Sequence, residues 1–160
     1  MLHPTSYDRY EKLKLVYRRL QYQNFNRHDL DDYIQIVNAL PSCIEQDPQT
    51  SAAQKLEAKR LYPDMDWQIC RQIANQQKHF KPETRSGAQA PLVKAVEIKP
   101  DAPGMFHSAS GTIWARGESI VLELPDGQKR DAFSTVYRMF RFFEYIFEIL
   151  PRSVAAGATP

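Results

Sequence analysis

The chain has 160 residues, of which 42% are hydrophobic and 25% charged, and its formal net charge is +2. This length suffices for one domain with a hydrophobic core, and the near-neutral charge gives no general affinity for nucleic acid or an anionic membrane. No apolar run approaches the roughly 20 residues of a membrane span, and the first residues, MLHPTSYDRY, lack the apolar segment of a signal peptide. We therefore expect a cytoplasmic protein.

Two amphipathic helices are predicted in the first third of the chain. The first runs from about Ser6 to Gln21, with Ser6 as its N-cap, because apolar residues recur there every three or four positions. The second begins at Asn26 or Asp29. Pro41 has no N–H to donate, so we expect a kink or a break in the second helix at that residue.

Two shorter helices follow. Ser51 and Gln54 have the spacing of a capping box, which predicts the start of the third helix, and Pro63 ends it. Asp64 or Asp66 then starts a fourth helix.

The middle of the chain changes to strand and turn patterns. Residues 99–111 read as a loop, and Gly117 is expected to form a turn between two strands. A further turn is predicted at PDGQKR, residues 125–130. Three strands are predicted: LVKAVEI, GTIWARG and SIVLELP.

The last predicted helix spans residues 131–150 and is capped by Asp131; its aromatic stripe is typical of a core helix. The chain is thus predicted to be one α+β domain over residues 1–150, followed by a flexible tail at 151–160. Its architecture is a helical bundle of four to five helices, with a small three-stranded antiparallel sheet inserted before the C-terminal helix.

The stretch WQICRQIANQQKHFKP in the fourth helix contains the main candidate site. At about 100° per residue, its apolar positions share one side, and four polar residues share the other: Arg71, Asn75, Lys78 and His79. Arginine binds phosphate through two parallel hydrogen bonds, and histidine changes protonation near neutral pH. These groups can hold a phosphodiester and move a proton during its cleavage. The alternative is an ordinary solvated helix face, or a cap at the helix end.

The same residues carry a family resemblance. ICRQIANQQKHF resembles the Arg-Asp-Leu-Cys/Ala-Asn-x-x-Lys-His signature of a group of small bacterial and phage proteins, although Gln72 stands where that group usually has Asp. DLDDYIQ resembles the acidic, aromatic helix that precedes the signature. The similarity covers about residues 24–150, and the group in turn is similar to the HEPN superfamily.

This resemblance implies a helical, often dimeric domain of toxin–antitoxin, CRISPR-associated or abortive-infection systems. Many HEPN domains are metal-independent ribonucleases whose Arg and His meet across a homodimer, and others only bind. For an enzyme, Arg71 would stabilise the phosphorane charge, and His79 would act as general base or acid. Asn75 would orient the substrate or His79, and Lys78 would hold a flanking phosphate. The partners implied are RNA and a protein such as an antitoxin.

A non-catalytic alternative remains open. The chain can equally be a phage or plasmid accessory protein that blocks or bridges a host complex by protein–protein interaction. In that case the polar face of the fourth helix is a docking patch or simply structure. The near-neutral charge favours this alternative slightly.

Other arginines are secondary candidates. Arg18 and Arg19, together with Tyr17 and Tyr22, can neutralise and stack on RNA. The competing interpretation is that the tyrosines lie in the core and the arginines on the surface. Arg138 and Arg141 lie on the outer side of the last helix, where they would extend a basic patch.

Other chemistry finds little support in the sequence. His107 lies near two serines but without a G-x-S-x-G motif, so a loop is the better interpretation. Cys43 and Cys70 lie outside any CxxC pair, and no Cys/His cluster has metal-ligand spacing. We expect two buried thiols, and neither a metal nor another cofactor. A disulfide would require that the two helices that carry these cysteines touch.

Overall fold

The described residues of the computed structural model form four helices, an antiparallel sheet and a fifth helix, in that order along the chain. The structure describes residues 4–22, 25–78, 95–108, 111–124 and 126–153, and for 76–78, 95–108 and 111–119 it describes the backbone alone. The helices are α1 (Ser6–Tyr22), α2 (Arg27–Gln46), α3 (Ala52–Arg60), α4 (Met65–Lys78) and α5 (Ala132–Glu144). The strands are β1 (Ala95–Ser108), β2 (Gly111–Glu123) and β3 (Lys129–Asp131). A π-helical turn, Tyr145–Ile149, follows α5. The predicted α+β class is confirmed.

Helix α2 packs against α1, α3 and α4, so it lies at the centre of the helical part. Its inner residues Tyr33, Val37, Leu40 and Ile44 have no exposed surface. The Tyr33 hydroxyl donates to the Val136 carbonyl oxygen at 2.7 Å, which joins α2 to α5. Helix α5 also packs against α1, α4 and the end of β2. The core is therefore formed by helices, with the end of β2 packed onto it.

The start of α1 differs from the prediction. Thr5 is the capping residue, because its hydroxyl accepts from the Asp8 N–H at 3.1 Å while its own N–H donates to the Asp8 carboxylate at 2.8 Å. Ser6 is buried, and its N–H and hydroxyl both donate to Asp47 Oδ2 at 2.7 Å. The prediction of Ser6 as N-cap is wrong because a distant carboxylate binds its hydroxyl.

Helix α2 is capped by Asn26, whose side chain accepts from the Asp29 N–H at 2.9 Å. The helix continues through Pro41, so of the expected kink or break the break does not occur. Proline leaves the carbonyl four residues earlier, that of Val37, without its helical donor. The Trp67 indole N–H donates to this carbonyl at 3.3 Å.

Helix α3 begins with the capping box that the sequence predicts. The Gln54 N–H donates to Ser51 Oγ at 3.2 Å, and the Ser51 N–H donates to Gln54 Oε1 at 2.9 Å. Gln54 has no exposed surface, and its amide Nε2 also donates to the Ile146 carbonyl at 2.8 Å. One side chain therefore caps α3 and joins it to the π-helical turn.

The sheet is antiparallel in the order β1-β2-β3, and its strands differ from the predicted ones. Residues 111–123 form one continuous strand, so the prediction of two strands with a turn at Gly117 is wrong: Gly117 pairs with Ala102. Most of the predicted loop at 99–111 belongs to β1. Glycine and polar residues favour turns locally, but ladder hydrogen bonds from a partner strand keep this segment extended. Of the predicted turn at 125–130, residues 126–128 form a turn with Gly127 at φ 83°, Lys129 and Arg130 belong to β3, and residue 125 lies outside the described residues.

The C-terminal helix begins as predicted, with the Asp131 carboxylate accepting from the Phe133 N–H at 2.7 Å. Beyond it, the Arg152 guanidinium lies 4.0 Å from the centroid of the Tyr7 ring. The Ser153 N–H donates to a backbone carbonyl in the turn before α3. These two residues therefore contact the N-terminal half of the chain. Residues 154–160 of the predicted tail lie outside the described residues.

Candidate functional site

Helix α4 starts at Asp64, one of its two predicted starting residues. Asp64 Oδ1 accepts from the backbone N–H groups of Asp66 and Trp67 at 2.9 and 3.2 Å. These N–H groups have no partner within the helix, so the carboxylate satisfies them and complements the positive end of the helix dipole. The candidate helix is thus fixed at its first turn.

A second carboxylate, that of Asp66, joins this first turn to the C-terminal half of the chain. The side chain is buried and accepts from Arg130 Nη1 at 2.5 Å and from the Thr135 hydroxyl at 3.0 Å. Arg138 donates to its other oxygen and also to Asp64 at 3.2 Å. A buried carboxylate is tolerated when cations and donors satisfy it, and here all three partners come from β3 and α5.

The ion pairs of α5 contradict the expectation that Arg138 and Arg141 extend a basic patch. Arg138 is bound to two carboxylates, and Arg141 is paired with Glu144, so neither adds a free cation to a basic patch. The sequence offered no signal for the role of Asp66. An acid in the first turn of a helix usually serves the helix dipole, and nothing local indicates that two distant arginines converge on it.

Trp67 anchors the next turn. Its indole is 3% exposed, and two other side chains lie against it. The Tyr62 ring lies edge-to-face with the indole at a centroid distance of 5.1 Å, and the Arg71 guanidinium lies 5.6 Å from the indole centroid. Arg71 is therefore held by a cation–π contact rather than by a described ion pair.

The polar face of α4 is exposed where the structure describes it. Arg71 and Asn75 are exposed one helical turn apart, whereas Ile69, Cys70 and Ala74 are buried on the other side. Two of the four predicted site residues therefore emerge together.

The other two predicted site residues are described less completely. Lys78 is the last residue of α4, and only its backbone is described. His79 lies outside the described residues. The joint orientation of all four side chains, and the catalytic role of His79, stay predictions.

The secondary candidates lie on α1, where Arg18 and Arg19 are both exposed. Arg19 forms an ion pair with Asp29 at 3.2 Å. Tyr17 is 5% exposed, and its ring stacks on Phe140 at a centroid distance of 3.8 Å, so it is a core residue with no face for an RNA base.

The two cysteines are both free, and of the two buried thiols expected only Cys70 is fully buried. Cys70 is buried, and burial raises the pKa of its thiol well above the ordinary value, with the Asp66 and Asp64 charges adding to the effect. A thiol held protonated in this way is a poor nucleophile. Cys43 is partly buried.

In the described part of the chain, no group of three or more His, Cys, Asp or Glu side chains is arranged to hold a metal ion. None of the described helices has the length and apolar character that crossing a membrane requires.

No known family model, curated protein or solved structure matches this chain. The resemblance to HEPN proteins stays a prediction from the sequence. The candidate site therefore consists of the exposed Arg71 and Asn75 side chains on α4. Polar contacts of Asp64 and Asp66 hold the first turn of this helix in place.

Proposed function

We propose that this chain is a HEPN-like, RNA-directed protein that binds the phosphate backbone of RNA through the polar face of α4. One observation carries the proposal: Arg71 and Asn75 are exposed one turn apart on α4. The sequence has no Asp or Glu between Asp66 and Glu83. No acid of this segment therefore competes with a phosphate for Arg71. Among the described residues, no carboxylate forms an ion pair with Arg71.

The proposed chemistry assigns one role to each residue. Arg71 grips a phosphate through two parallel hydrogen bonds, and Asn75 donates to the same or the adjacent group. Lys78 holds a flanking phosphate, and Arg18 and Arg19 extend the contact to α1. In a catalytic form, the 2′-hydroxyl of RNA attacks the adjacent phosphorus and the 5′-oxygen leaves. Arg71 stabilises the charge of the pentacoordinate phosphorus, and His79 either takes the proton from the 2′-hydroxyl as general base or gives one to the leaving 5′-oxygen as general acid. No metal or other cofactor is part of this proposal.

The biological setting of the proposal follows the family resemblance. In this setting the protein is a cytoplasmic homodimer that belongs to a defence, toxin–antitoxin or mobile-element system. The two α4 helices of the partner subunits meet in the dimer. The helical bundle and the sheet serve as the scaffold. An antitoxin or a host complex would be its protein partner.

The test is RNA cleavage and RNA binding by purified variants in the presence of EDTA. The wild type is expected to bind RNA and to cleave it without metal. His79→Ala should abolish cleavage but leave most of the binding, whereas Arg71→Ala should weaken both. Arg141→Ala is the matched control, since it removes an exposed arginine already paired with Glu144. If the wild type shows no affinity for RNA, the whole proposal falls; binding without cleavage removes only the enzyme.

A non-catalytic accessory protein is the second candidate, and one observation favours it. Leu15 and Tyr22 lie two turns apart on the same side of α1, and they are 59% and 71% exposed. Large exposed apolar side chains are common at protein-binding surfaces. If expression of the protein impairs growth, the double change Leu15→Ser and Tyr22→Ser should relieve that effect under this candidate. Relief by His79→Ala instead would support the ribonuclease.

A further inference from the structure

The surface beside Arg71 has a second component that the proposed phosphate contact does not use. Tyr62 lies in the connection between α3 and α4, and its ring is packed edge-to-face on Trp67 with an interplanar angle of 79°. The Arg71 guanidinium contacts the same indole. Tyr62 is 38% exposed and Arg71 is exposed, so an aromatic surface and a planar cation flank one buried ring.

The Tyr62 ring is fixed in position. Its hydroxyl donates to the Glu45 carboxylate of α2. Burial and this acceptor raise the pKa of the Tyr62 hydroxyl to about 12, against the opposing effect of the nearby Arg71 charge. The hydroxyl therefore stays protonated at neutral pH. A ring held by contact with Trp67 and by its hydroxyl loses little further conformational entropy when a ligand packs on it.

The two sides of this small surface carry charges of opposite sign. Glu45 lies on the Tyr62 side, with Lys59 Nζ 4.0 Å from its carboxylate, whereas Arg71 marks the other side. A phosphate is attracted to Arg71 and repelled by Glu45. A neutral, flat group is compatible with the Tyr62 side.

We propose that Tyr62 binds an unpaired RNA base next to the phosphate bound by Arg71 and Asn75, so that the ligand class is single-stranded RNA. This inference rests on the proposed function, because it assigns a base to the same site. Bases within a duplex are stacked on their neighbours and offer no free face, whereas single strands stack readily on aromatic side chains. The contact requires no hydrogen bond to a base edge, so the site is tolerant of sequence.

The experiment compares two single strands of about 12 nucleotides, within the range that such binding modules cover. One is an ordinary labelled RNA, and the other has the same sugar–phosphate backbone with abasic positions; a duplex RNA is the third ligand. Fluorescence anisotropy gives the Kd of each. The wild type is expected to prefer the base-bearing single strand over both other ligands.

Single substitutions distinguish the contact with the base from the contact with the phosphate. Tyr62→Leu keeps apolar bulk against Trp67 but removes the aromatic face, and it should weaken binding of the base-bearing strand by about 5- to 100-fold. Its affinity for the abasic strand should not change. Tyr62→Phe keeps the aromatic face and loses only the hydroxyl contact with Glu45, so it should weaken binding of the base-bearing strand far less than Tyr62→Leu does. Tyr145→Leu is the matched control, since it removes another partly exposed tyrosine, at the π-helical turn.

The outcomes are distinguishable from those of the proposed function. If Arg71→Ala weakens binding of both strands while Tyr62→Leu changes neither, the base contact is refuted and the phosphate contact stands. If Tyr62→Leu weakens both strands equally, the tyrosine acts only by supporting the fold around Trp67, and the inference is again refuted. If the wild type binds neither strand, both ideas fail together.

Discussion

The indole N–H of Trp67 donates at 3.3 Å to the carbonyl oxygen of Val37, which is the carbonyl that Pro41 leaves without a helical donor. A side chain of α4 thereby repairs the hydrogen-bond ladder of α2. The same residue supports Arg71, so the repair of one helix and the placement of the candidate site depend on a single indole.

Trp67→Phe removes the indole N–H and leaves the Val37 carbonyl buried and unpaired. We expect a loss of about 1–3 kcal/mol in the free energy of unfolding. Pro41→Ala restores a backbone N–H at position 41, so in that background Trp67→Phe should be less destabilising. Urea denaturation of the four proteins of this double-mutant cycle measures the coupling. Equal penalties in both backgrounds would show that the indole contributes only by packing.

Near the C-terminus, Pro151 likewise leaves a backbone carbonyl without its helical donor. The Leu150 N–H donates to the Tyr145 carbonyl at 3.1 Å, which is the spacing of a π-helix. The next carbonyl, that of Ile146, would pair with position 151, where proline has no N–H. Gln54 Nε2 donates to it instead, at 2.8 Å.

Gln54→Leu should therefore destabilise the fold by about 2–3 kcal/mol, because the Ile146 carbonyl loses its donor and the capping box is broken. Gln54→Glu keeps the capping acceptor but sets a carboxylate against the same carbonyl, so its penalty should be larger at neutral than at acid pH. Thermal unfolding at two pH values measures both effects. If Gln54→Glu is as stable as the wild type at neutral pH, the contact with Ile146 is unimportant.

Among the carboxylates that the structure describes, we expect that of Asp66 to be the most sensitive to substitution. Asp66→Asn keeps the shape but removes the charge that Arg130 and Arg138 share. We expect the free energy of unfolding to fall by about 3 kcal/mol. This value is at the lower end of the range for breaking a buried ion pair, because Arg138 is mostly exposed. Glu144→Gln, which breaks the surface pair with Arg141, is the control and should change stability by less than about 1 kcal/mol. Similar losses in the two variants would contradict the structure.

The Asp47 carboxylate should make stability depend on acid pH. Burial alone would raise its pKa, but hydrogen bonds from Ser6 and from the Gln49 N–H outweigh burial, so the pKa is lowered. The folded state thus binds this proton less tightly than the unfolded state does. The resulting stability is present above the ordinary pKa of 3.8 and is lost as the pH falls through the lower folded value.

Asp47→Asn should accordingly destabilise the protein by about 1–3 kcal/mol at neutral pH, and the difference from the wild type should shrink below about pH 4. Denaturation curves measured from neutral to acid pH test this. Asp32→Asn, at an exposed position of α2, is the control and should follow the wild type throughout. A difference that stays constant with pH would mean that Asp47 acts through its shape alone.

The sequence by itself determined the helices and most of their local caps. The capping box of Ser51 and Gln54 and the cap at Asp131 follow from residues within three positions of one another, and the structure has both. The exposure of Arg71 and Asn75 opposite a buried edge also follows from helical spacing alone. Such features are local, because a helix satisfies its own backbone within a few residues.

Only the tertiary structure decided the features that depend on distant partners. Ser6 donates to Asp47 instead of capping α1, and α2 continues through Pro41 while Trp67 donates to the carbonyl that the proline leaves without a helical donor. Gly117 lies within a strand because β1 pairs with it. Each of these outcomes depends on a hydrogen bond that spans many residues, and local propensity carries no information about such a partner.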